Sequence, residues 1–177
     1  MAWLTRRDPD RTPPPVVLAA LSPDNPVAPA DRLLAAARSE QTWLLATTVR
    51  FGAVHIDGSV RWLRPWHEVD SASWSREAST LTVTFVDGAR PVSLPLDAQR
   101  TFLQVVRERV QASVVSVLDL PLPGPRRAKA VIRQDLATGE LVEQLVIGRG
   151  TRPSPAIDEA AADAFRLLRE ETGLPPR

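Results

Sequence analysis

Residues 80–96 read Thr80-Leu81-Thr82-Val83-Thr84-Phe85-Val86-Asp87-Gly88-Ala89-Arg90-Pro91-Val92-Ser93-Leu94-Pro95-Leu96. Leu81, Val83 and Phe85 alternate with threonines, the period of a strand with one buried face. Asp87-Gly88 supplies a tight-turn pair. Val92, Leu94 and Leu96 then repeat the alternation on the way back. This hairpin decides for antiparallel β structure.

The same pattern extends upstream. Residues 43–49 form an apolar run rich in β-branched side chains. Residues 51–56 lead to Asp57-Gly58, a second hairpin signal, and 60–63 return from it. Residues 69–74 read as a further strand. The spacing leaves no room for the crossover helices of a parallel sheet, so a meander of short strands is expected. Residues 31–41 read two ways. Their alanines and leucines favour a helix, but β segments follow at once, and strand is the expectation.

Downstream, Asp97 is a candidate helix cap. Leu103, Val106, Val110, Val114 and Val117 recur at spacings of three and four, so a helix over 97–117 is expected with one apolar stripe. Arg100, Arg107, Glu108, Arg109 and Gln111 form its polar face. Pro121, Pro123, Gly124 and Pro125 break the chain. Residues 128–134 and 141–147 are strand-like, joined by 135–139 with Gly139 where a left-handed residue fits. Ser154 and Pro155 then open a helix, Ile157, Ala161, Ala164, Phe165 and Leu168 give its apolar face, and Gly173 followed by Pro175 ends it.

Residues 1–30 contain Pro9, Pro13, Pro14, Pro15, Pro23, Pro26 and Pro29. Proline lacks a donor and restricts its predecessor, so an arm without regular structure is expected, with 16–21 packing on the body. The organisation expected is therefore an arm over 1–30, a β unit with a capping helix over 31–117, and a hairpin–helix extension over 118–177 on the same domain.

Composition excludes several classes. The 177 residues hold no cysteine, which removes disulfides, thiolate metal sites and thiol nucleophiles. Lys plus Arg number 22 against 21 Asp plus Glu, a balance that argues against a nucleic-acid binder. Lys129 is the sole lysine, and the arginine-for-lysine skew points to a GC-rich genome. Arg6-Arg7 is followed by Asp-Pro-Asp rather than an apolar stretch, and 16–21 is too short for a signal region, so a cytoplasmic protein is expected.

Three features over 31–117 resemble the PH-like (pleckstrin-homology-like) domains of actinobacterial proteins. These are Trp43-Leu44-Leu45-Ala46-Thr47-Thr48, then Pro65-Trp66-His67-Glu68-Val69 with Trp74, and the run 88–96 leading straight into an amphipathic helix. The resemblance implies an antiparallel barrel or strongly bent sheet capped by that helix. It implies lipid, peptide or protein binding without choosing among them. A PH lipid site draws on basic residues around its first turn. The matching turn here, Ser39-Glu40-Gln41-Thr42, is short and acidic, so a membrane surface is not favoured.

Candidate chemistry is sparse. His55 and His67 are the only histidines, and the chain holds no G-x-S-x-G elbow, H-E-x-x-H or Walker pattern. Gly148-Arg149-Gly150 precedes a helix but reads as a connecting loop. No catalytic residue, metal or cofactor is assigned. Two binding sets stand out instead. Arg61, Trp62, Arg64, Trp66 and His67 read either as core packing or as an amphipathic rim, where Trp and Arg anchor interfaces. Arg126, Arg127, Lys129 and Arg133 form a local basic cluster. The last helix carries Asp158, Glu159, Asp163, Glu170 and Glu171 against Arg166 and Arg169, and is expected to offset that cluster. The expectation is an α+β protein, a non-enzymatic module binding a protein or peptide or a second copy of itself, with a peripheral lipid-binding protein as the alternative and a hydrolase-type enzyme without a recognisable motif as the third reading.

Overall fold

A computed structural model describes residues 12–21 and 31–175. It is α+β, with three antiparallel sheets and three α-helices. The first sheet comprises β1 (Leu33–Ser39), β2 (Thr42–Thr47), β3 (Arg50–His55) and β4 (Val60–Pro65) in sequence order. A 3-10 turn, Trp66–Glu68, leads to β5 (Val69–Ser75), β6 (Thr80–Phe85) and β7 (Val92–Pro95), which form the second sheet. Within 31–41, Leu33–Ser39 thus adopt the strand expected from context. Pairing with β2 outweighs alanine's helix propensity.

The strands do not close into a barrel: the first two sheets are not hydrogen-bonded to each other as a ladder. They share a core instead. Leu44, Phe51 and Ala53 meet Val69, Leu81, Val83 and Leu94, with Phe102 and Val106 of α2 (Arg100–Ala112). The helix lies against β1 and β5 and so caps both sheets.

All six residues of β2 are buried because both its faces are covered. Leu44 and Ala46 face the main core. Trp43 and Leu45 face Val54 and the fully buried Val17 of α1 (Pro15–Ala19). The arm therefore holds a short helix, contrary to expectation. Pro14 takes the N-cap position and Pro15 begins the helix, where a missing N–H costs nothing. Readings of the arm at 1–11 and 22–30 lie outside the described residues.

The helix expected over 97–117 is shorter at both ends. Gln99, not Asp97, stands at its N-cap, without a side-chain hydrogen bond. Val114 and Val117 leave the helical stripe for β8 (Val114–Asp119). Ser113 makes the switch: its N–H donates to the Arg109 and Val110 carbonyls, while its own carbonyl accepts from Gln134 N–H at 2.8 Å. Valines suit a strand better than a helix end once a partner strand is present.

That partner is β9 (Ala128–Gln134), which also pairs with β10 (Leu141–Ile147), giving the third sheet the order β10-β9-β8. The hairpin accordingly pairs with residues assigned above to the capping helix, and the boundary at 117/118 falls inside β8. The helix α3 (Pro155–Thr172) lays Ile157, Ala161, Ala164 and Leu168 on Ala128, Ala130 and Ile132. It ends at Gly173, whose φ of 71° is left-handed. Among the described residues no helix is long and apolar enough to cross a membrane.

Candidate functional site

The two candidate sets read from the sequence are not two surfaces. Trp66 is fully buried, stacks on Phe51 at 5.0 Å, and donates its indole N–H to the Thr47 carbonyl at 3.0 Å. Trp62 is half-buried, edge-on to Phe51 and Phe85. Both belong to the shared core, which removes Trp66 as an interface anchor. Arg64 lies 4.5 Å over the Phe85 ring and donates to Asp87 at 2.8 Å and Glu68 at 3.3 Å. It braces the 86–91 turn. The Ala89 N–H and Arg64 together hold the Asp87 carboxyl below its ordinary value. Arg61 is exposed and reaches Thr42 Oγ1 at 3.4 Å. His67 turns away to Asp135, 3.8 Å distant.

The basic cluster is also divided. Side chains alternate along β9, so Lys129 and Arg133 share one of its faces. That face meets β5. Lys129 Nζ lies 2.8 Å from Asp70 Oδ1, and Arg133 Nη2 lies 3.4 Å from the same oxygen. Arg133 is 1% exposed and also donates to Ser113 Oγ at 3.1 Å. Burial pushes its guanidinium below the ordinary arginine value, against the pull of Asp70. Its Nε has no hydrogen-bond partner. Arg133 is therefore a seam residue, not part of a surface patch. Arg126 donates to the Pro123 carbonyl at 3.3 Å. Among the described residues the last helix places no acid in a salt bridge with these cations. Its Arg169 instead forms a two-bond pair with Glu143 of β10, which raises the Arg169 pKa.

What the fold does build lies beside Asp70. A groove of about 550 Å³ opens where β5, the end of β6 and the 88–91 turn face the start of β9 and the end of β10. Phe85, Ala89, Pro91, Val146 and Ile147 supply apolar walls, and Ser71 and Thr84, 2.7 Å apart, line one side. Four cations surround it, Arg90, Arg127, Lys129 and Arg149, against two carboxylates, Asp70 and Asp119. Gly148 permits the closure of one wall: a Cβ there would lie 2.8 Å from Arg127 Cβ and 2.9 Å from its carbonyl oxygen.

Of the basic cluster, Arg127 and Lys129 line this groove, together with Arg90, which no sequence pattern singles out, and Arg149, which lies in the loop expected only to connect two elements. The Asp87-Gly88 turn and the Gly148-Arg149-Gly150 loop were both visible, yet their approach is a tertiary event. Among the described residues no cluster of three or more His, Asp or Glu side chains is placed to hold a metal. No family model, curated protein or solved structure matches this chain.

Proposed function

We propose that this chain is a non-enzymatic interaction module of PH-like architecture, and that it takes an extended segment of a protein partner in the seam groove. The order of elements supports the PH-like reading: a four-stranded meander, a three-stranded meander, then a helix over both. The observation that carries the function is the groove's position. It is bordered by β5 and β10, each the edge strand of its sheet. Edge strands present unpaired main-chain groups, which is how extended peptides are captured. Its volume falls within the roughly 300–1,000 Å³ of ligand pockets.

Two further features support binding over catalysis or lipid capture. Asp70 and Lys129 are held by each other, while His67 and Asp135 pair outside the groove lining. The first turn, at Glu40-Gln41, adds a carboxylate where a PH lipid site uses cations.

Selection of random linear peptides against the chain tests the reading. Selected peptides should shift the amide resonances of Ser71, Thr84, Ala89 and Val146. They should lose binding to an Ala89→Trp variant whose side chain fills the groove. Selections that yield no groove-directed peptide overturn it.

Self-association through β8 is a second reading. Val115 and Val117 are 45% and 52% exposed on this edge strand. Leu120 N–H donates to Ala128 O, so alternation turns the main-chain groups of Val117 and Asp119 outward. Sedimentation of the native chain and Val117→Lys checks it: a dimer lost on substitution supports the reading, and a monomer throughout removes it.

A further inference from the structure

We infer that the segment taken by the seam groove is acidic, its carboxylates meeting Arg90, Arg127, Lys129 and Arg149; this rests on the groove being the partner site. The charges around the groove are not balanced within the fold. Lys129 and Arg133 share the one carboxylate of Asp70, so the seam floor holds two cations to one anion. Arg127 gives its guanidinium to the Gly124 and Arg126 carbonyls, at 3.1 and 2.9 Å, which are neutral acceptors. Arg90 and Arg149 have no hydrogen-bond or ionic partner among the described residues. Asp119, exposed at the end of β8, is the remaining carboxylate of the lining; it stands opposite Lys129 across the β8–β9 ladder but, among the described residues, forms no salt bridge with any of the four cations.

Cations held near one another by a low-dielectric wall repel, and a bound anion relieves that repulsion. Three of the four come from arginine, whose planar donors match carboxylate oxygens in pairs. The chemistry is that of an anionic oxygen, which a phosphate also supplies. The peptide source is favoured because apolar walls and two edge strands flank the cations. A small phosphate would use neither.

Titration with hexaglutamate, hexaglutamine and inorganic pyrophosphate, read by amide resonances, separates the cases. Hexaglutamate should bind about tenfold more tightly than hexaglutamine at low salt, the difference shrinking as salt screens the charges. Arg149→Glu, at an exposed loop position, should weaken hexaglutamate about three- to tenfold, and Asp119→Asn should tighten it. Equal binding of hexaglutamine overturns the inference while leaving the groove a partner site. Binding of pyrophosphate without hexaglutamate overturns the peptide source. If neither peptide reaches the groove and the random selection also fails, both readings fall together.

Discussion

Trp66 lies flat against Phe51, the rings 5.0 Å apart and 7° from parallel. This contact joins the 3-10 turn between the two sheets to the start of β3. Trp66 also closes its only polar need on the Thr47 carbonyl, so the residue is satisfied inside the core. Trp66→Ala is expected to destabilise the chain by about 3–5 kcal/mol, the range for deleting a buried aromatic. Urea titration followed by far-ultraviolet circular dichroism measures it. A loss below about 1 kcal/mol would place Trp66 outside the core.

The hairpins were legible because local rules and tertiary contacts agree there. Asp87-Gly88 and Gly139 sit where the turns need them, and β9 and β10 have the bounds their apolar runs predict. The end of α2 was not legible. Val110, Val114 and Val117 fit a helical period, while 114–119 also fits a strand, and only the presence of β9 decides. The groove was hidden for a related reason. Arg133 looks like its neighbours Arg126 and Arg127 in sequence, yet it is buried by Asp70, a residue 63 positions away. The tryptophans were ambiguous because aromatic residues serve cores and interfaces equally well.

Asp70 and Arg133 should respond unequally to removal. Asp70→Asn strips Arg133 and Lys129 of their shared carboxylate and leaves a buried cation uncompensated. A loss of about 3–5 kcal/mol is expected. Arg133→Met keeps the stem's packing and leaves Asp70 to Lys129, so a change below about 1.5 kcal/mol is expected. Paired urea titrations compare them. Equal losses would show that Arg133 is held by contacts other than Asp70.

The Asp87 carboxyl gives an acid-side signature. Its pKa is lowered from 3.8 by the Ala89 N–H and then by Arg64. The unfolded chain therefore binds this proton more readily than the folded one. The linked stability is present above the unfolded value and is lost as pH falls through the folded one. Asp87→Asn should leave less of this decline below pH 3.8. Thermal melts between neutral and acid pH test it. An unchanged acid slope would mean that the turn does not hold the charge.

Gly52 controls how closely β3 and β4 approach. A Cβ on this residue would lie 2.5 Å from Leu63 Cδ1 and 2.9 Å from the Trp62 carbonyl oxygen. The leucine methyl is the far end of a flexible side chain, but the carbonyl belongs to the opposing strand and moves only with the sheet. Gly88 provides the control. Its φ of 73° is left-handed, but nothing lies within 4 Å of a Cβ there. Gly88→Ala should therefore cost only backbone strain, about 1 kcal/mol. Gly52→Ala should cost about 1–3 kcal/mol, as overpacking does. It should also move Trp62, whose ring rests on Phe85 at the groove wall. Tryptophan fluorescence beside the melting curves distinguishes the two. Gly52→Ala should shift the emission, and Gly88→Ala should not. A silent Gly52→Ala would show that β4 yields without disturbing the core behind the groove.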